Sequence, residues 1–198
     1  MSNLLESLAA QLGGSSVQGL AKTIGADPAT TQKALGAALP FLVSALAKNA
    51  ATPQGAQALH QALAKDHDGS VLDNLGGFMS KPDTQAGDGI LRHVLGDRRQ
   101  MVEAGIGKAS GLDGQGVSTL MATLAPVVMG MLGRTQRQQG LDTSALTQML
   151  QGEQQRAAAP ALGGLAKLLD ADGDGQVMDD IAKMGGNLLG GLFGKRGG

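Results

Sequence analysis

Little in this sequence could build a β-sheet core. Strands favour β-branched and aromatic side chains, yet these are scarce here: three Phe stand in the chain, with no Tyr and no Trp. Ala, Leu, Gln and Met dominate instead, and these are strong helix formers. The 198 residues, 42% of them hydrophobic, are enough to bury a sizeable core. Glycine, at 32 residues, is more than twice its usual share of about 7% and must punctuate whatever forms. The predicted fold is all-α: a compact bundle of about eight to ten short helices separated by glycine.

Helix starts are written locally. Leu4, Leu5, Leu8 and Leu12 share one face in a helical reading. Asp27-Pro28 supplies an N-cap followed by proline at the first helical position, opening a stretch to about Lys48. Pro40 falls inside that stretch, where a ring without an N–H is expected to kink or divide the helix. Thr52-Pro53 repeats the start signal for a helix through Leu59 and Leu63.

At an offset of 86 residues, Leu20-Ala-Lys22, Asp27 and Leu39-Pro40-Phe41-Leu42-Val43 overlie Ile106-Gly-Lys108, Asp113 and Ala125-Pro126-Val127-Val128-Met129. Asp27 pairs with Asp113 as a cap, and Pro40 with Pro126 as a break. We read this as two related helical units, about residues 20–80 and 106–156, inside a helical domain spanning 1–165. Paired apolar units are also expected surfaces for self-association or a protein partner. Residues 166–198 then form an acidic loop and a Gly-rich C-terminal helical tail.

The acidic loop is where the chemistry concentrates. Asp170, Asp172, Asp174, Asp179 and Asp180 place five carboxylates within eleven residues. Calcium takes six to eight hard oxygen ligands, and Asp at loop positions 1, 3 and 5 with Gly175 at position 6 matches the first half of an EF-hand loop. Gln176 would contribute its backbone carbonyl. Position 12 departs from the pattern, because Ile181 stands where a bidentate Glu is expected. The expected ligand set for Ca2+ is therefore Asp170, Asp172, Asp174 and Gln176, closed by Asp179 or Asp180, with weaker affinity than a cytosolic sensor. The alternative is a solvated cluster capping the next helix. An echo of the loop, Asp66-His-Asp68-Gly69-Ser-Val71-Leu-Asp73, has Ala64 in place of the first aspartate and reads as a capped turn.

Other classes lack a signature. With 16 basic and 17 acidic residues the formal net charge is −1, against the basic face that nucleic acid requires. No cysteine exists to form a disulfide, thiolate site or nucleophile. His60, His67 and His93 lack the spacing that would set two ligands on one helical face, and each reads as a surface or half-buried side chain. Nucleophile elbow, P-loop and dinucleotide fingerprint are missing, so an enzyme is not expected.

Ile181, Met184, Leu188, Leu189 and Leu192 recur at helical spacing beside Gly186, Gly190 and Gly194. The segment 181–196 is therefore expected to fold back onto its own domain, with packing on a partner or peripheral membrane contact as the alternatives, and it is too short to span. No run of 18 apolar residues predicts a spanning helix. Residues 1–12 carry Glu6 and no basic start, unlike a secretory signal. The cytoplasm is the default expectation, and signal-less export would leave nothing to read.

Several motifs occur in an order that resembles the YidB-like family of bacterial proteins. They are Ser110-Gly111-Leu112-Asp113 before a helix interrupted at Ala125-Pro126, Ile90-Leu91-Arg92-His93-Val94-Leu95-Gly96, and Leu168-Leu169-Asp170-Ala171-Asp172-Gly173-Asp174-Gly175 with its Gly/Leu tail. The resemblance covers the chain from about Leu20 onward. It implies an all-helical fold and a bacterial source, and brings no substrate, catalytic residue or cofactor. The calcium expectation rests on the loop alone.

Overall fold

A computed structural model describes the backbone of residues 4–169 and the side chains of residues 4–156. The described residues form nine α-helices: α1 (Leu4–Gln11), α2 (Ser15–Ile24), α3 (Pro28–Asn49), α4 (Pro53–Lys65), α5 (Leu75–Ser80), α6 (Thr84–Leu95), α7 (Arg99–Ser110), α8 (Gly114–Gln139) and α9 (Thr143–Leu169). Short 3-10 turns lie at Ser70–Leu72 and Gly96–Arg98, and no strand occurs among the described residues. The all-α expectation holds. The chain divides into two compact units, Met1–Gln154 and Gln155–Gly198, and the core described below belongs to the first.

The caps form where the local chemistry asks for them. Asp27 Oδ1 accepts from the Ala29 and Thr30 amides at 2.9 and 3.0 Å, satisfying two donors that α3 cannot use internally. The Thr30 hydroxyl donates to Asp27 Oδ2 at 2.6 Å, and this bond, with the amide bonds, holds the carboxyl below its ordinary pKa. Thr52 caps α4 through the Gly55 amide, and Asp113 caps α8 through the Gly116 amide at 2.7 Å. Asp83 and Asp142 do the same for α6 and α9.

The helices are longer than expected, at 22, 26 and 27 residues for α3, α8 and α9. Neither Pro40 nor Pro126 divides its helix. Each proline deprives the carbonyl four residues earlier of a donor, and the consequences differ. In α3 that carbonyl belongs to Gly36, an exposed residue where water can serve. In α8 it belongs to Ala122, inside the core. There a Cβ added to Gly87 of α6 would lie only 1.7 Å from the Ala122 oxygen. The glycine instead sets a Cα hydrogen against the carbonyl that Pro126 has freed, a weak C–H···O contact worth about 0.5–1 kcal/mol.

Helix α8 is the axis of the first unit. Every residue from Leu120 to Gly133 is buried, as expected of a helix apolar on all sides and enclosed by others. Helices α1, α2, α3, α4, α6 and α7 all pack on it. Among the described residues α8 is the one helix long and apolar enough to cross a membrane, although it contains no unbroken run of 18 apolar residues. Its most apolar 18-residue window has a mean hydropathy of 1.6 and is 89% buried, which is the character of a core helix. Helix α3 is one-sided by contrast: Ala34, Ala38, Leu42 and Ala45 face inward while Phe41 is 48% exposed. Glu153, on α9, is 2% exposed and accepts from the Leu5 amide at the start of α1, where a carboxylate meets the positive end of a helix.

Candidate functional site

The acidic residues that the sequence singles out fall into two groups. Asp170, Asp172, Asp174, Gln176, Asp179 and Asp180 lie outside the described residues, as does the 181–196 segment. The echo at 66–73 is described, and its carboxylates have structural duties. Asp68 Oδ1 accepts from the Ser70 amide at 2.9 Å, and the bonds from Ser70 keep this carboxyl below its ordinary pKa. Asp73 pairs with Arg134, which also donates to the Gly69 carbonyl at 2.6 Å. Arg137 donates to the His67 carbonyl at 3.1 Å. The turn lies directly on α8: a Cβ on Gly133 would fall 1.8 Å from the His67 oxygen. The capped-turn reading of this stretch therefore holds. No group of three His, Asp or Glu placed to hold a metal ion occurs among the described residues.

The most site-like feature of the first unit is an apolar cleft of about 330 Å³ between α3, α4, α6 and α8. Leu46, Leu59, Ile90, Val94 and Met129 supply its aliphatic wall. Gly55, Ala58 and Ala62 of α4 face it together with Ala86 and Gly89 of α6, so the flanking helices contribute side chains too small to fill it. The polar lining is Asn49, His67 and His93. Asn49 braces the cleft: its Nδ2 donates to the Val94 carbonyl at 2.8 Å and to the Ala45 carbonyl at 2.9 Å. Val94 lies in the last turn of α6, where a carbonyl lacks a helical donor. The amide thus ties the end of α3 to the end of α6 and fixes their spacing.

The three histidines diverge. His60 Nε2 lies 3.2 Å from the Leu141 carbonyl, just ahead of α9. His67 is half-buried, and burial lowers its pKa against an opposing pull from the Asp66 carboxylate. His93 is exposed on α6 at the cleft. A second, more polar depression of about 350 Å³ is lined by Thr84, Asp88, Gln115, Ser118 and Thr119. It borders a charged cluster in which Arg99 donates to Asp88 at 2.7 Å, Glu103 at 2.7 Å and the Ser118 hydroxyl at 3.0 Å. Burial works against the guanidinium charge, but the two carboxylates outweigh it and raise the Arg99 pKa. Through Nε and Nη2 it holds α6, α7 and α8 together.

Sequence reading did not find the cleft. Its lining comes from positions 46 to 129, and locally those Ala, Gly and Leu residues look like any core helix. The Arg99–Glu103 pair had a readable i,i+4 signal, whereas Asp88 and Ser118 join it only through the fold.

No curated protein matches the chain, and no solved structure does. Residues 6–135 match the model of a family described as bacterial protein of unknown function, DUF937, in agreement with the YidB-like resemblance. The match starts earlier than Leu20 and ends ahead of the acidic loop; it contains every residue that lines the cleft. Spanning roughly two thirds of the sequence, it shows that this chain belongs to that bacterial family.

Proposed function

We propose that this protein acts by binding, not by catalysis, as a helical interaction module that responds to calcium. The observation carrying this reading is how its ionisable groups are allocated. In the helical body Asp27, Asp83, Asp113 and Asp142 serve as caps, Asp68 closes a turn through the Ser70 amide, and Arg99 and Arg134 are held in ion pairs. General acid–base or nucleophilic chemistry needs such groups gathered and poised in one cavity. The apolar cleft has only Asn49 and two histidines as its polar lining.

Supporting a cation role is the sequence pattern Asp170, Asp172, Asp174, Gly175. Calcium held by these aspartates, Gln176 and Asp179 or Asp180 would bring together carboxylates that repel when empty, coupling ion binding to local order. The following segment, 181–196, would transmit that ordering to a partner.

Calorimetric titration of calcium into EDTA-stripped full-length protein tests the reading, with Asp172→Ala as the comparison. Saturable heat that the substitution abolishes is expected, with altered hydrogen exchange confined to the C-terminal part. Absence of heat at millimolar calcium would overturn the cation role and leave an acidic helix cap. The alternative use of 181–196, contact with a membrane surface, is read by co-sedimentation with liposomes. Equal partitioning of the full chain and a chain ending at Asp180 would remove it.

A further inference from the structure

The cleft has a chemistry more specific than apolar. None of its lining residues carries a formal charge at neutral pH apart from what a histidine could acquire, so a buried carboxylate or ammonium would lose its hydration without a fixed counter-charge. A volume of about 330 Å³ corresponds to on the order of ten non-hydrogen atoms at ~30 Å³ each. The amide of Asn49 cannot turn around, because Nδ2 is held by two backbone carbonyls. Its Oδ1 has no hydrogen bond among the described residues and is not sealed away from solvent, unlike Gln136 Oε1. The lining therefore combines aliphatic walls with the Asn49 amide, whose Oδ1 is left without a hydrogen bond, and with the imidazoles of His67 and His93, able to donate or accept.

We propose that the cleft between α3, α4, α6 and α8 binds a neutral aliphatic amphiphile, a chain of about eight carbons ending in a hydroxyl or amide donor that engages Asn49 Oδ1. The chain lies along Leu59, Ile90 and Met129, where each buried methylene adds hydrophobic free energy, and the head stays at the polar lining. This names a ligand class for the binding role proposed above and rests on it, but not on the calcium loop, which lies elsewhere in the sequence. Charge is what separates this occupant from a fatty acid or an alkylammonium of equal length.

The test uses full-length protein with ¹³C-labelled methionine methyls, the Met129 signal being assigned through Met129→Leu. Octanamide, octanoate and octylammonium are titrated in parallel. Octanamide is expected to shift the Met129 methyl saturably, with the two charged probes at least tenfold weaker. A Cβ at Gly89 meets nothing within 4 Å, so Gly89→Leu is expected to occupy the cleft, weaken octanamide tenfold or more and leave Tm undiminished. Ala58→Leu, on the exposed face of α4 beside the cleft, is the second filling variant should the first lower Tm. Octanoate binding as tightly as octanamide overturns the ligand class while keeping the site. No shift with any probe, or unchanged affinity in both folded filling variants, overturns the site itself.

Discussion

Replacing Gly87 by alanine tests the central packing argument most sharply. The added Cβ would lie 1.7 Å from the Ala122 oxygen, 2.5 Å from its carbonyl carbon and 2.8 Å from its Cα. All three are backbone atoms of α8, so no side chain can rotate away, and α6 must retreat by more than an ångström. Overpacking typically costs about 1–3 kcal/mol and occasionally more, and a rigid backbone target belongs at the upper end. Helix propensity opposes this with a gain of about 1 kcal/mol for Gly→Ala. The net expectation is a loss of about 2 kcal/mol, which for a chain of this size lowers Tm by roughly 4–8 °C. Far-UV circular dichroism during thermal and urea unfolding measures it, since no Trp is available for fluorescence. Gly105→Ala is the control: it lies inside α7, and a Cβ there meets nothing within 4 Å. It should be stabilised by up to about 1 kcal/mol. If Gly87→Ala proved as stable as Gly105→Ala, the close approach of α6 to the Ala122 carbonyl would be refuted.

Three further outcomes follow from named contacts. Arg99→Met removes the shared partner of Asp88 and Glu103, whose side chains are 42% and 16% exposed. Hydrogen bonds to charged groups contribute about 1.5–3 kcal/mol where they are shielded; with partial exposure here, a loss of about 2 kcal/mol in urea unfolding is expected, and a loss below 0.5 would sink the network's structural role. Pro40→Ala returns an amide donor to the Gly36 carbonyl in a half-exposed stretch of α3, so stability should rise by about 1 kcal/mol; a fall would mean the ring packs in a way that the helix needs. His67 carries a pH signature, because burial lowers its folded pKa below the ordinary 6.5 despite the neighbouring Asp66. The unfolded chain then binds the proton more readily, so the contribution is complete above pH 6.5 and is lost as pH falls below it. Melting His67→Gln beside the parent at pH 7.5 and 5.5 should show the smaller acid-induced drop in the variant, and parallel drops would count against His67 as the titrating group.

What the sequence disclosed was local. Asp27-Pro28, Thr52-Pro53 and Asp113 announce their helices within four residues, and each cap bond forms as the residue order implies. The division expected at the prolines does not occur, because their effect depends on surroundings that no local window contains. Pro40 leaves a carbonyl on an exposed turn, and Pro126 leaves one where Gly87 arrives from 39 residues away. The spacing of Asp66, Asp68 and Asp73 suggested an echo of the acidic loop, while their roles depend on Arg134 and on the glycines of α8, which sequence proximity does not reveal. The cleft was the least legible feature. It is a space left between four helices, and a space has no residue signature of its own.

The same contacts connect the packing of α8 to the proposed ligand. Gly87 faces Ala122, while its neighbours Ala86, Gly89 and Ile90 line the cleft, as does Met129 two turns further along α8. The depth of α6 against α8 therefore sets the width of the cleft, and Asn49 sets it again at the other end by holding the Val94 carbonyl. A substitution that lifts α6 at Gly87 should act as a wedge hinged on that amide, widening the cleft and costing an aliphatic ligand its contacts on one wall. Octanamide binding to Gly87→Ala should then weaken even at temperatures where the variant is fully folded. The Met129 methyl should also move in the unliganded protein. If affinity were unchanged in a folded variant that had lost stability, the cleft would have to owe its shape to α3 and α4 alone, and the bracing role assigned to the α6–α8 contact would be wrong.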